Sequence, residues 1–457
     1  MWVNRRSLES DRVRVPPPLL RRRIASGRGA TEQPNATGDG AAALSGRFWA
    51  ALVVTGVATG LGGIAMMLIL FNVEHLAFGY HSGSLQAAVT RDSPLRRVVS
   101  LVVAGVVGGV AWYVLRKHTP GESSEVDEAI WGRTKLSVRR SLGTSAISEL
   151  VIGMGASIGR ESAPKLLGGL SGSVVGDRFG LDAGQVRLLV ACGAGAGLAA
   201  VYNVPIGGAL FACELLLGSV TLPTVMPALA CAGIATFVGW LYLPTHATYL
   251  GIPAYPFHLT VLVWAVLAGP VVGAVAAAWV RLVAWASFHR LKGRAALVGP
   301  LGAFGLLGVI GIAFPQLFGN GKDMAHSAFL GHFGLGLLAA LFVLKPLVTA
   351  LCLGSSASGG LFTPTFSTGA VLGGFLGIAW SHLWAGAPAG AYAVVGAAAM
   401  LAAATQAPMS GLVLVLELTH TGFSLAIPMI VAAVLATIVV RIVDGYSIYS
   451  ARLAKHD

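Results

Sequence analysis

Residues 193–215 read GAGAGLAAVYNVPIGGALFACEL and residues 396–418 read GAAAMLAAATQAPMSGLVLVLEL, and at a constant offset of 203 they align without a gap. Ten of the 23 positions are identical, among them Pro205 with Pro408, Gly208 with Gly411 and Glu214 with Glu417. Abundant Ala and Gly would produce some matches by chance; a Pro, a Gly and a Glu held in one register would not arise that way. A second pair lies upstream at nearly the same offset: SIGRESAPKLLGGLSGSVVG from Ser157 and SGGLFTPTFSTGAVLGG from Ser358. Each is a Gly-containing turn, then a proline, then a run with small residues four apart. The chain therefore reads as two related halves, each with one Gly/Pro-interrupted apolar segment, a pattern that puts a transport site where the broken helices meet.

Composition identifies the solvent. Of 457 residues 55% are hydrophobic and 11% charged, and mean hydropathy is +0.76, whereas soluble domains carry about a quarter charged residues. Apolar stretches recur at 47–74, 98–115, 186–201, 222–243, 259–288, 297–318, 333–352, 366–385 and 423–440, many near the roughly twenty residues a spanning helix needs. Long, non-alternating runs favour helices over a barrel, because lipid offers no partner to open backbone groups. The expected fold class is an all-α polytopic membrane protein, with a basic arm over 1–46, one half over 47–245 and the other over 246–453.

Charge and small residues fit that reading. Eight arginines lie between Arg5 and Arg28, with no apolar core of a signal peptide. This arm is expected to be disordered, cytosolic by the positive-inside rule and drawn to anionic lipid. Nucleic acid is not an expected partner, since no aromatic residues interleave with the charge. Glycines spaced four apart, as at Gly168, Gly172 and Gly176 or Gly369, Gly373 and Gly377, predict close helix packing. Cys192, Cys213, Cys231 and Cys352 stand singly, the histidines are scattered, and no metal spacing or phosphate-binding loop is present, so no metal or cofactor is expected.

The two interrupted turns carry the chemistry. Pro164 and Pro364 are expected at helix starts, since a proline in the first helical position loses only an N–H that has no partner there. The preceding residues, Gly159 to Ser162 and Gly360 to Phe362, would then aim free backbone N–H groups and positive helix-dipole ends at one point, a ready site for an anion. Such a site strips a halide's hydration without a full cation that would hold the ion too tightly. Glu161 is the anomaly, since a carboxylate within the membrane costs at least about 3 kcal/mol unless paired or wet. At a helix N-terminus it can act as a tethered anion competing with the permeant one, and its protonation would release it. The simpler alternative is that Glu161 caps its helix or pairs with Arg160 or Lys165.

GRESAP at 159–164, GGLFTP at 359–364, YNVPIGGALFACEL at 202–215 and SIYSARLA at 447–454 together resemble the four signature regions of the CLC family of chloride channels and chloride/proton antiporters. The resemblance extends over nearly all of 47–453. It implies an antiparallel two-repeat bundle of tilted and broken helices, forming homodimers in which each subunit has its own pore, in a prokaryotic protein of the inner membrane. It also implies that Glu161 is the gating residue, that the amides of Arg160, Glu161 and Ser162 line an outer anion position and those of Leu361 and Phe362 a central one. Tyr449 would contact the central anion from the inner side.

The sequence departs from the family pattern in three places. Two residues, Ser162 and Ala163, separate Glu161 from Pro164 where the family has one, so the first helical turn is expected to be wound differently. The region matching G-S-G-I-P reads PGESSEVDEA at 120–129, with Gly121 in place of the serine and Ser123 and Ser124 the nearby hydroxyls. Glu214 matches the first of two adjacent acids in antiporters, but the second, the internal proton acceptor, falls on Leu215. Exchange of the anion for protons and passive conduction thus both remain open. Glu149, Glu417 and His420 are read as paired structural groups rather than proton relays. A membrane-embedded hydrolase built on Ser171 in GLSG is a remote alternative, because no His/Asp set accompanies it.

Overall fold

The computed structural model describes residues 44–131 and 135–452; most of the expected basic arm lies outside them. In chain order the helices of the first half are α1 (Gly46–Phe78), α2 (Leu85–Arg91), α3 (Pro94–His118), α4 (Val126–Trp131), α5 (Val138–Gly153), α6 (Ser162–Arg178), α7 (Ala183–Tyr202), α8 (Pro205–Leu210) and α9 (Leu222–Gly239). There follow α10 (Leu259–Phe288), α11 (Ala295–Ala313), α12 (Lys322–Phe329), α13 (Leu335–Gly354), α14 (Phe362–Ser381), α15 (Ala389–Thr405), α16 (Pro408–Thr419) and α17 (Ala426–Val443). Among the described residues no strand forms, and nine helices are long and apolar enough to cross a membrane, one for each apolar run read from the sequence.

The bundle is organised for lipid. Along α3, Val99, Val103, Val106 and Val110 are exposed while Leu101, Ala104 and Trp112 are buried, so one helical stripe faces hydrocarbon and the opposite one faces protein. Inside, glycines set the spacing. A methyl group on Gly168 would strike the carbonyl of Gly193, and one on Gly172 the carbonyl of Leu189, which seats α6 directly on α7. In the second half Gly369 lies against Gly396 and Met400, and Gly373 against Tyr392, which seats α14 on α15 in the same way. Where lipid removes the hydrophobic drive for association, this backbone approach supplies the dispersion contacts that hold helices together.

The sequence repeat is also a repeat of backbone conformation. Helix α7 closes on Asn203 at φ 56° and α15 on Gln406 at φ 58°, left-handed positions where Asn is tolerated and Gln is uncommon. The next residues, Val204 (φ −132°, ψ 64°) and Ala407 (φ −129°, ψ 74°), share one non-helical geometry before Pro205 and Pro408 open the following helices. After α8 the first copy continues as a π-helical turn, Phe211–Leu216, which carries Glu214, whereas α16 stays α-helical through Glu417.

Candidate anion pathway

The turns before α6 and α14 meet face to face. Gly159 and Gly360 exchange both backbone hydrogen bonds, at 2.8 and 2.7 Å, in an isolated antiparallel bridge. That bridge fixes the two helix starts relative to each other. Glu161 is the N-cap of α6 and Leu361 that of α14. The helical bonds begin in step, with Lys165 N–H donating to the Glu161 carbonyl at 3.2 Å and Thr365 N–H to the Leu361 carbonyl at 3.0 Å. Pro164 and Pro364 are therefore each the third helical residue, not the first as expected, still within the turn where a missing N–H is harmless. Ser162 and Ala163 form the first two residues of α6, as Phe362 and Thr363 do in α14.

Glu161 is 3% exposed, and its side chain reaches from its own turn to the opposite one. Oε1 accepts from the Phe362 N–H at 2.6 Å, and Oε2 accepts from the Thr363 hydroxyl at 3.1 Å and, at the limit of hydrogen bonding, from the Tyr202 hydroxyl at 3.5 Å. Tyr202 and Thr363 share a further bond of 2.9 Å. The buried Arg160 donates from Nε to the Tyr202 hydroxyl at 3.4 Å, with its guanidinium carbon 5.0 Å from that ring's centre. The amides of Arg160, Glu161 and Ser162 have no backbone acceptor. The carboxylate thus accepts from one α14 amide and from hydroxyl groups, donors of the kind that bind small anions.

A cavity beside Glu161 is lined by Ser124, Ser145, Gly360, Phe362 and Tyr449 among others. Tyr449 is buried, packs edge-on to Phe211, and carries the Lys165 ammonium 4.6 Å from its ring centre. Its segment is tied down by the Ile448 N–H donating to the Ala404 carbonyl at 2.7 Å.

The comparisons with known proteins bear on this arrangement. The family model described as voltage gated chloride channel matches residues 104–441. A voltage-gated ClC-type chloride channel, ClcB, of Citrobacter koseri is 30% identical over 399 residues, covering 85% of this chain and 94% of the relative. A ClcB of Salmonella typhi is 31% identical over 397 residues, covering 84% and 93%. This chain belongs to the CLC family. It is accordingly an integral membrane protein that transports a small anion, and its relatives are channels and antiporters rather than hydrolases. Among solved structures, a slow cyanobacterial Cl⁻/H⁺ antiporter superposes with a TM-score of 0.78 at 23% identity, covering 89% of this chain and 97% of the other. A CLC-type fluoride/proton antiporter gives 0.71 at 19%, again covering 89% and 97%. Both share the CLC fold found here.

Other residues singled out from the sequence fall into two groups. Ser124 lines the cavity that reaches Glu161. Ser123 turns away, donating to Glu128 at 2.7 Å and accepting from the Glu125 N–H at 3.1 Å. Ser171 donates to the Leu167 carbonyl within α6 at 2.9 Å. Leu215 is half-buried against the core. His420 is exposed and closes α16 in a left-handed conformation.

Glu214 and Glu417 hold each other's half together. Glu214 accepts from the Met409 and Ser410 N–H groups at 3.2 and 2.7 Å, and Glu417 from those of Ile206 and Gly207 at 3.1 and 2.6 Å. Each carboxylate caps the N-terminus of the proline-opened helix of the other copy, α16 for Glu214 and α8 for Glu417. Glu149, expected to be paired, is fully buried with no hydrogen-bond partner on either oxygen.

Three residues near the site escaped the sequence reading. Tyr202 and Thr363 look like ordinary members of apolar segments, and only the fold brings them to Glu161. Lys345 is fully buried in α13, donating to the Ser157 hydroxyl at 2.8 Å and the Gly319 carbonyl at 3.0 Å. Its signal was available, as a lone cation in the middle of the 333–352 run.

Proposed function

We propose that the protein exchanges chloride, or an anion of similar size, for protons, with Glu161 as the gate and the proton-carrying side chain. The observation that carries this reading is the Phe362 N–H bonded to the Glu161 carboxylate, because it makes the side chain a resident competitor for the position the permeant anion needs. Protonation removes the charge that this amide and the Thr363 hydroxyl hold, frees the side chain, and opens the position to an anion. The amides of Arg160, Ser162 and Leu361 serve the anion as it passes, and Tyr449 and Ser124 contact it on the inner side. Ser123 has no part in that contact.

Two copies associate, each with its own pathway, as family resemblance implies. The chain sits in a bacterial inner membrane with its N-terminus in the cytosol and its basic arm against anionic lipid. Halves 47–245 and 246–453 each supply one helix start to the site.

Passive conduction is the second reading, and Leu215 favours it, since a leucine cannot carry a proton from the inner side. Reconstitution into liposomes with a chloride gradient separates the two. Uphill proton movement driven by chloride supports exchange; chloride flux with no proton movement would leave conduction as the function.

A further inference from the structure

The buried face of α5 bears Ser141, Ser145, Ser148 and Glu149. A carboxyl with both oxygens enclosed and unbonded cannot remain an anion there, because desolvation of an isolated buried charge is far too costly. Glu149 is therefore a neutral acid in this conformation. As a purely structural side chain it would be a poor choice, since a leucine fills such a space without burying two polar atoms. Its position is specific. The charged groups whose fields reach it are Arg160 and Glu161, from the turn that follows α5, and Glu74 on α1.

Ser145 lines the cavity that also reaches Glu161 and Tyr449, and Glu149 stands four residues further along the same face, a rise of about 6 Å. Of this helix, Thr144 and Ser145 line the cavity, and the Glu149 carboxyl is enclosed behind that lining. The bonds of Ser145 to the Ala163 carbonyl, at 3.4 Å, and of Ser148 to the Ser358 carbonyl tie this face to the two turns of the anion site.

We propose that Glu149 is the proton station between the inner cavity and Glu161, taking the part that Leu215 cannot. This rests on the proton-coupled reading of the transport. The step is a simple transfer. The O–H bond of Glu149 breaks as an O–H bond forms on a carboxylate oxygen of Glu161, once that side chain has left the Phe362 amide and come within hydrogen-bonding reach of Glu149. Glu149 is left as a carboxylate within the field of the Arg160 guanidinium, and a proton from water in the cavity, passed by way of the Ser145 hydroxyl that lines it, restores the acid. Arg160 lowers the cost of the transient anion, and no further reactant is consumed.

The test is simultaneous measurement of anion and proton flux in liposomes for the wild type, Glu149→Gln and Glu149→Asp. Gln keeps the shape of the neutral acid and removes the exchangeable proton. The expected result is that Glu149→Gln still passes anions while its proton movement falls to that of empty vesicles, and that Glu149→Asp recovers part of the proton movement. A wild-type ratio of protons to anions in Glu149→Gln would overturn the station and leave the exchange reading standing. Loss of both fluxes in equal proportion in both variants would also overturn it, by making Glu149 a structural residue. A wild type that moves no protons would remove the exchange reading and this proposal together.

Discussion

The Phe362 N–H and Glu161 Oε1 lie 2.6 Å apart, so the helix start of one repeat holds the carboxylate of the other. A charge-assisted bond of this kind contributes about 1.5–3 kcal/mol, and an entering anion must displace it. Glu161→Gln keeps the shape and removes the charge. It is expected to bind chloride more tightly than the wild type in detergent titrations and to conduct anions with a flat pH profile. Wild-type anion flux should rise as pH falls, because the protonated carboxyl leaves the site. A Glu161→Gln flux that followed the wild-type pH profile would rule Glu161 out as the gate.

The Thr363 hydroxyl is the second donor to that carboxylate, at 3.1 Å, and it sits in the N-terminal turn of α14. Thr363→Val removes it and keeps the volume. The carboxylate then loses about 1–2 kcal/mol of restraint, so chloride should compete roughly tenfold more effectively. In the Glu161→Gln background the same substitution should have little effect. A double-mutant cycle on chloride affinity measures the coupling directly, and strictly additive effects would mean that Thr363 acts independently of the gate.

What was legible in the sequence was whatever depends on long apolar runs and on repetition. All nine candidate spans match the runs read by composition. Helices α5 and α6 escaped that reading because Arg139, Arg140, Glu149, Glu161 and their serines interrupt the hydropathy, although both helices are buried by neighbours rather than by lipid. The paired turns at Gly159 and Gly360 could be located because glycine and proline punctuate the chain. Their direct bridge could not, since nothing local encodes a contact across 201 positions. The partners of single polar residues were similarly hidden. Glu417 and Glu149 look alike in sequence, yet one caps a helix and the other has no partner at all, and only tertiary packing separates them.

Lys345 supplies a test of electrostatics at distance. Its ammonium is buried, bonded to Ser157 and Gly319, and its field reaches Glu161. Lys345→Met keeps the length of the side chain and removes its charge. Chloride affinity should fall, because a low-dielectric interior transmits the lost potential to the anion position. Unbonding two buried partners should also lower stability by about 1–3 kcal/mol. Chloride titration and thermal unfolding on one sample would check both. Affinity equal to that of the wild type would mean that Lys345 only braces the turn before Gly159.

The crossed caps give the last test. Glu214 binds the start of α16 and Glu417 the start of α8, so each carboxylate fastens the opposite copy of the repeat. Glu214→Ala and Glu417→Ala should each lower stability by about 1–2 kcal/mol, the ordinary cost of a lost helix cap. The two sites are reciprocal across one contact between α8 and α16, so the double substitution should cost less than the sum. Neither side chain reaches the cavity beside Glu161. Anion flux and the proton-to-anion ratio, counted per folded molecule, should therefore stay at wild-type values. If Glu214→Ala lost proton movement and kept anion flux, the inner proton route would run through Glu214, and the separation of structural from proton-carrying acids drawn from these contacts would be wrong.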